Sequence, residues 1–142
     1  MSSVVKFFVA ERVDAVAALS AGPDPSLSSL TYGNFDAEEA LLDWESQFTG
    51  RRFDELVEED FPEVVAEEDE GAVVLLLSDA LVGALSAESE SRVAEVAEWW
   101  VQEKDDQGWQ IDLAVASEIL QRLAGMARQE RRAGEDIYCW VG

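Results

Sequence analysis

Short apolar runs at both ends of the chain predict strands. Residues 3–10, SVVKFFVA, form a β-branched and aromatic run that only Lys6 interrupts, which is typical of a buried strand. Residues 135–141, EDIYCWV, set aliphatic and thiol side chains against aromatic ones at alternate positions, the period of a strand. A third run, AVVLLL at 72–77, fits either a strand or the start of a helix, and we favour a strand followed by a short helix capped by Ser78.

Longer segments repeat apolar residues at the spacing of amphipathic helices. The segment 36–50 begins with Asp36, an N-cap candidate that has a glutamate three residues later, and ends with a glycine, a common helix terminator. Residues 89–104 and 112–133 place apolar side chains at positions i, i+3, i+4 and i+7, so each helix should bury one face. Arginines crowd the end of the last helix, where cations complement the helix dipole.

Between the first strand and the first long helix, the pattern predicts a shorter helix and a loop. Residues 11–22, ERVDAVAALSAG, carry Val13, Val16 and Ala17 on one helical face, so we expect that face to be buried. Residues 23–34, PDPSLSSLTYGN, are rich in proline, serine, glycine and asparagine and predict a loop.

The order of these elements predicts an α+β fold. The sequence shows no internal repeat and no domain boundary, so we expect a single domain over residues 1–142. It should be mostly helical, with a small sheet that includes the paired N-terminal and C-terminal strands. A hydrophobic content of 48%, with five tryptophans, suffices for a conventional core at this length.

The negative charge of the chain is concentrated in residues 53–71, FDELVEEDFPEVVAEEDEG, which we call the acidic segment. It contains no basic residue and ten carboxylates, namely Asp54, Glu55, Glu58, Glu59, Asp60, Glu63, Glu67, Glu68, Asp69 and Glu70. Apolar side chains lie between the charges, and we expect four of them to anchor the segment to the core: Phe53, Leu56, Val57 and Phe61. Pro62 should divide a helical half from an extended half, since the residue before a proline is disfavoured in a helix.

The formal net charge of -21 restricts the class of partner. Such a surface repels the phosphates of nucleic acids and of anionic membranes, whereas it attracts basic proteins. No lysine or arginine lies between Arg52 and Arg92, so the attraction should be strongest around the acidic segment. We therefore expect a basic protein partner, and neither nucleic acid nor a membrane.

Targeting features favour a cytoplasmic protein. The sequence opens without a basic region, a long apolar run or a small-residue cleavage site, so no secretory signal is predicted. No segment approaches the roughly 20 apolar residues that span a bilayer. The single cysteine, Cys139, rules out an internal disulfide, and a reducing compartment is the simplest setting.

The residues of common catalytic sites are missing. Histidine is absent, which removes Ser–His and Cys–His nucleophile pairs and histidine-based zinc sites. Cys139 has no activating cation or histidine beside it in sequence, so we expect a buried, inert thiol. No glycine-rich phosphate loop occurs, and we therefore predict no catalytic residue and no cofactor.

Carboxylates alone raise the question of a metal site. Four of them form two i, i+4 pairs, and the members of each pair would share a helix face: Asp54 with Glu58, and Glu55 with Glu59. Hard cations accept such ligands, and EEDEG at 67–71 looks like an ion-binding loop. However, Gly71 is followed by an apolar run instead of the later glutamate that an EF-hand needs, so we predict no specific metal site. Two alternatives remain open: a carboxylate- or metal-dependent enzyme of unknown substrate, and a structural or regulatory homo-oligomer.

Two tryptophans are candidates for a partner surface. Trp44 and Trp100 lie on apolar helical stripes and should be buried. Trp99 cannot face the same way as its neighbour Trp100 on a helix, and Trp109 lies in a DQGWQ turn. Because exposed tryptophan is common at interaction hot spots, we add Trp99 and Trp109 to the candidate partner-binding residues of the acidic segment.

Three stretches resemble the YfbM-type family of small bacterial domains, which is grouped with immunity proteins of toxin systems. They are the helix end DWESQFTG, the helix start LSAESESRVAEVAEWW and the closing pattern LQRLAGMARQERRAGEDIYCWVG. The resemblance transfers no functional residue, and the N-terminal strand lacks the family's usual opening. It implies a non-enzymatic, toxin-neutralising or stress-related role. With the charge pattern, it predicts a non-catalytic acidic binding protein of bacterial type, with a toxin-immunity or inhibitor role towards a basic protein partner.

Overall fold

The N-terminal and C-terminal strands lie side by side in one antiparallel sheet. The computed structural model describes residues 3–142, whose strands are β1 (Val4–Glu11), β2 (Ser29–Gly33), β3 (Glu63–Glu67), β4 (Val73–Leu76) and β5 (Glu135–Val141). Their order across the sheet is β2-β1-β5-β4-β3, and every neighbouring pair is antiparallel. The predicted pairing of the two terminal strands is confirmed.

Helices make up 48% of residues 3–142. They are α1 (Arg12–Ala17), α2 (Ala37–Thr49), α3 (Phe53–Glu58), α4 (Asp79–Ala87), α5 (Glu90–Asp106) and α6 (Leu113–Arg128). The predicted caps are confirmed, because the side chain of Asp36 accepts from the Glu39 amide and that of Ser78 accepts from the Leu81 amide. The fold is α+β, as predicted. Within residues 3–142, no helix is both long and apolar enough to cross a bilayer.

One face of the sheet packs against the four longer helices. The β1–β5 register sets Phe7 opposite Cys139, and both side chains are fully buried against α2, α4, α5 and α6. In the same layer Trp44 of α2 meets Trp100 of α5 edge to face, with ring centroids 5.1 Å apart, a preferred geometry for aromatic pairs. The predicted burial of Trp44 and Trp100 is therefore confirmed.

The other face of the sheet carries a smaller core. Phe8 and Tyr138 stack on this face with ring centroids 5.8 Å apart, and Val74 of β4 packs beside them. The side chain of Ala15 in α1 covers this cluster. The sheet is thus buried on both faces, which explains why β1, β4 and β5 carry mostly apolar residues at successive positions instead of alternating apolar and polar ones.

Helix α1 is shorter than predicted and buries a different face. It covers six residues, and Val13 and Val16 are 70% and 43% exposed. Ala15 and Ala18 are buried instead. The predicted burial of the two valines and Ala17 was wrong because α1 follows β1 without a connecting loop, so the strand direction sets its orientation. Alanine then suits the inner face, since its small side chain lets the helix approach the aromatic side of the sheet.

The predicted loop at 23–34 contains strand β2. Lys6 of β1 pairs with Thr31 of β2, and the half-buried Leu30 and Tyr32 pack against the larger core. The sequence pattern did not indicate a strand because turn-forming residues flank the alternating Leu30 and Tyr32. The segment becomes a strand because the edge of β1 has free N–H and C=O groups that pair with its backbone.

The acidic segment has a helical half and an extended half, as predicted. Helix α3 ends at Glu58, four residues before Pro62, and β3 begins directly after that proline. Of the four predicted anchors only Leu56 is fully buried, whereas Phe53 and Val57 are 36% and 49% exposed and Phe61 is half-buried. The predicted burial of Phe53 and Val57 was wrong because a helix of six residues turns less than twice and presents little of its surface to the core.

We expect Leu56→Ala to destabilise the protein by about 2–5 kcal/mol, because it removes the fully buried anchor of the acidic segment. Val57→Ala, one residue along on the exposed side, should change the free energy of unfolding by less than about 0.5 kcal/mol. Urea denaturation of the two variants measures both. Equal effects would mean that α3 is not held to the core through Leu56.

Candidate functional site

All ten carboxylates of the acidic segment are exposed to solvent. Three of them form ion pairs: Glu63 lies 2.7 Å from Arg12, Glu59 contacts Arg51, and Asp54 lies 3.8 Å from Arg52. Within residues 3–142 the other seven carboxylates form no ion pair: Glu55, Glu58, Asp60, Glu67, Glu68, Asp69 and Glu70. Most of the charge of the segment is therefore free to act on a partner.

The acidic segment is displayed on ordered secondary structure. Strand β3 lies at the edge of the sheet and pairs only with β4, with an irregular register at Val65. The turn after β3 is closed by the Glu68 amide, which donates to the carbonyl of Ala72 at 2.9 Å. Charged residues on an edge strand also prevent the strand from pairing with other chains, so part of this charge has a structural use.

Cations at the end of α6 are engaged with main-chain carbonyls. Arg128 Nη2 donates to the carbonyl of Glu88 at 2.8 Å, and Arg131 Nη1 donates to that of Ala127 at 3.0 Å. These guanidinium groups fasten the end of α6 to neighbouring backbone. These two arginines therefore bind main-chain carbonyls and not the acidic segment.

The two candidate tryptophans lie apart from the acidic segment in the chain. Trp99 is half-buried and packs against the larger core. Trp109 is 70% exposed and lines a cleft of about 530 Å³ near the N-terminus of α2. No residue of the acidic segment lines this cleft. The cleft and the start of the acidic segment lie at opposite ends of α2, a helix of 13 residues and so about 20 Å long.

The cleft is formed by the start of α2, the second half of α5 and the turn after α5. Its lining residues are Ser3, Asn34, Phe35, Asp36, Glu39, Trp100, Lys104, Trp109, Gln110 and Ile111. The amide of Trp109 donates to the Lys104 carbonyl at 2.8 Å, and Gly108 supplies the left-handed backbone of the turn, with φ of 88°. With this hydrogen bond and this glycine, the chain turns back across the end of α5.

A buried lysine lies at the base of the cleft. Lys104 and Asp43 are each only 6% exposed, and Lys104 Nζ lies 2.8 Å from Asp43 Oδ2. The ammonium also donates to Glu39 and, at 3.4 Å, to the side-chain carbonyl of Gln107. The Asp43 contact is close enough for an ion pair, but Oδ2 accepts no hydrogen bond of good geometry. We call Lys104, Asp43 and Glu39 the buried ion cluster.

Burial and charge pull the pKa values of the buried ion cluster in opposite directions. Burial raises the pKa of the Asp43 carboxyl above its usual range, and the Lys104 ammonium only partly opposes the rise. For Lys104, burial lowers the pKa, but the contacts with Asp43 and Glu39 outweigh it, so that pKa lies above its usual value. Lys104 is therefore a cation at neutral pH and has no free lone pair for nucleophilic chemistry.

A second buried acid serves the packing of the helices. Glu45 of α2 is 4% exposed, and its Oε1 accepts a hydrogen bond from the hydroxyl of Ser78. The same Ser78 hydroxyl caps α4 by accepting from the Leu81 amide at 3.1 Å. Glu45 thus ties the middle of α2 to the start of α4.

The predicted buried thiol is confirmed. Cys139 is fully buried in the central strand of the sheet, and burial raises the pKa of its thiol far above the ordinary value. Thiolate is the reactive form of cysteine, so this side chain is inert at neutral pH. Among residues 3–142, no three cysteine or carboxylate side chains converge as a group that could hold a metal ion.

The buried ion cluster was not predicted from the sequence, although it has a recognisable signal. Lys104 follows Ala97 and Trp100 at helical spacing, so it continues the buried stripe of α5. A lysine on such a stripe needs an acidic partner. Glu39 and Asp43 are four residues apart on α2 and so share one face of that helix, but only the packing of α5 against α2 shows that they are the partners.

Comparison of the chain with protein-family models, with curated proteins and with solved structures finds no match in any of the three. The resemblance to the YfbM-type family stays a prediction from the sequence. The function is therefore inferred from the geometry and charge of the residues described above.

We expect Lys104→Met to lower the free energy of unfolding by about 3–5 kcal/mol at pH 7, because Asp43 would keep a buried charge without a partner. A carboxyl whose pKa is raised by folding binds its proton more tightly in the folded state. The destabilisation caused by its negative charge is therefore absent at low pH, and it grows as the pH rises through the pKa of that carboxyl in the unfolded chain. The deficit of the variant should therefore shrink as the pH falls towards 3.8. Denaturation curves at several pH values measure this.

The double variant Asp43→Asn with Lys104→Met is the matched control, since it removes both charges. It should recover much of the loss at pH 7. If the single and double variants lose the same stability at every pH, an unpaired charge on Asp43 is not the cause of the loss.

Proposed function

We propose that this chain is a non-catalytic binding protein that presents the acidic segment to a basic protein partner. The observation that carries the proposal is the set of ten exposed carboxylates on one ordered segment, seven of them outside any ion pair within residues 3–142. Opposite charge on a partner would be attracted over a distance and oriented by this surface.

The anchoring of the segment supports binding over a mobile acidic loop. Leu56 fixes α3 to the core, Pro62 is buried, and β3 is hydrogen-bonded to β4. Side chains on a fixed backbone lose less conformational freedom on association than those on a disordered one. A basic surface of matching shape would therefore gain affinity as well as a faster encounter.

The particular form of this function that the sequence resemblance favours is neutralisation of a basic toxin or nuclease. An acidic inhibitor would occupy the cationic surface that such a protein uses to hold phosphates. The same charge argues against nucleic acid and anionic membranes as partners. The single cysteine and its inert environment suit a reducing compartment, and we place this activity in the cytoplasm.

Of the alternatives, carboxylate catalysis has less support than binding. A catalytic acid normally sits in a cleft where desolvation adjusts its pKa, whereas every carboxylate of the acidic segment is exposed. Asp43, whose pKa burial does raise, is committed to the ion pair with Lys104. Association of identical copies through this face would bring like charges together. A homo-oligomer would have to use other surfaces, such as the exposed valines of α1, Val13 and Val16.

A charge-matched pair of variants tests the proposal. The segment variant carries Glu58→Gln, Glu67→Gln and Glu70→Gln, and the control carries Glu98→Gln, Glu118→Gln and Glu130→Gln at exposed positions on α5, on α6 and after α6. Both variants lose the same amount of negative charge. We expect the segment variant to bind the partner about tenfold more weakly, at roughly 0.5 kcal/mol for each lost charge contact, and the control to bind almost as the wild type does.

The measurement has two stages. First, the immobilised wild-type chain captures proteins from an extract of the source cells, at about 50 mM salt and again at several times that concentration, and the captured proteins are identified. Second, each basic candidate is titrated against the wild type and the two variants. Binding should weaken with salt because screening shortens the range of the attraction. The proposal fails if no basic protein is retained at low salt, or if both variants weaken binding equally.

A further inference from the structure

We propose that the cleft at the N-terminus of α2 binds a small organic ammonium ion, of the trimethylammonium type, through Trp109 and the carboxylates of its lining. This inference is independent of the acidic segment, because none of the residues of that segment lines the cleft. The volume of about 530 Å³ lies within the range of small-molecule sites.

Three aromatic side chains line the cleft. The Trp109 side chain is largely exposed, and Phe35 is half-buried. Phe35 packs edge to face on the buried Trp100, with ring centroids 5.7 Å apart. A cation placed over such rings is attracted by their electron-rich faces, most strongly by tryptophan.

Carboxylates also belong to the site. Asp36 and Glu39 line the cleft, and Asp43 contacts Lys104, which lines it too. The ammonium of Lys104 is the only cation of the lining among residues 3–142, and it is already committed to Glu39 and Asp43. Three carboxylates against one ammonium leave the cleft with a formal excess of negative charge, which favours a cationic ligand over an anionic one.

A neighbouring depression strengthens this preference. It shares Gln110 and Ile111 with the cleft and adds Asp105 and Asp112 to the surroundings. These two acids are exposed, so their effect is a general attraction and not a direct contact. Together with the large negative charge of the chain, they would raise the local concentration of a small cation.

The methylated ammonium group matches the chemistry better than a metal ion does. Its positive charge is spread over methyl groups that can contact aromatic rings without needing hydrogen-bond acceptors. A hard metal ion would need several oxygen ligands converging on one point, and no such group occurs among residues 3–142. A lining that combines aromatic side chains with carboxylates that do not converge suits a bulky organic cation.

Choline is the probe, and 3,3-dimethylbutan-1-ol, which has the same shape without the charge, is the matched neutral compound. Titration of the protein in about 150 mM salt, followed by proton NMR of the ligand methyl groups, should show a saturable upfield shift for choline because the methyl groups would lie over aromatic rings. The neutral compound should bind at least about tenfold more weakly.

Variants separate the cleft from general electrostatics. Asp36→Asn keeps the helix cap, since asparagine caps as well as aspartate, and removes one negative charge; combined with Glu39→Gln it should weaken choline binding about tenfold. Trp109→Ala should have a similar effect, because it removes the exposed aromatic face. Leu113→Ala, an exposed apolar truncation outside the cleft lining, should leave the affinity unchanged.

Three results would overturn the inference. The first is the absence of a saturable shift with choline. The second is equal binding of the neutral compound, which would make the cleft merely apolar. The third is a loss of choline binding in the Glu58→Gln, Glu67→Gln, Glu70→Gln variant as large as the loss in the cleft variants, which would make the effect one of overall charge. None of these results bears on the protein partner of the acidic segment.

Discussion

The antiparallel pairing of β1 with β5 is the interaction on which the rest of the structure depends. It joins the two ends of the chain next to the centre of the sheet and sets Phe7 against Cys139 on one face and Phe8 against Tyr138 on the other. Both faces of the pair are buried, so a shift of one residue would exchange the two cores. The four longer helices and α1 then have fixed surfaces to pack against.

The chain carries a formal charge of -21, and these charged side chains have to be placed around the apolar core. The acidic segment carries its charges at the edge of the sheet, where its carboxylates remain hydrated while Leu56 and Pro62 are buried. At the cleft, Asp43 and Lys104 are removed from water together, and Glu39 remains partly exposed beside them. Desolvation offsets much of the attraction between buried charges, so the pair adds little net stability although the loss of one partner is costly.

The two proposed binding surfaces therefore rest on different physics. The acidic segment would act at long range through hydrated charges, and its action would weaken with salt. The cleft would act at short range, through aromatic faces and a local excess of carboxylate in a partly enclosed space. Trp109 was predicted to be a partner residue, and the structure places it at the mouth of the cleft. The exposure that the sequence predicted for Trp109 is therefore found at the cleft and not at the acidic segment.

The sequence by itself determined the elements whose signals are local and strong. The apolar runs of β1 and β5, the caps of α2 and α4 and the break at Pro62 are all as predicted, because backbone sterics and periodicity act within a few residues. Tertiary structure alone decided β2, the buried face of α1 and the partners of Lys104. Each of these depends on a surface supplied by a distant part of the chain: an unpaired edge of β1, an aromatic face of the sheet, and two acids on α2.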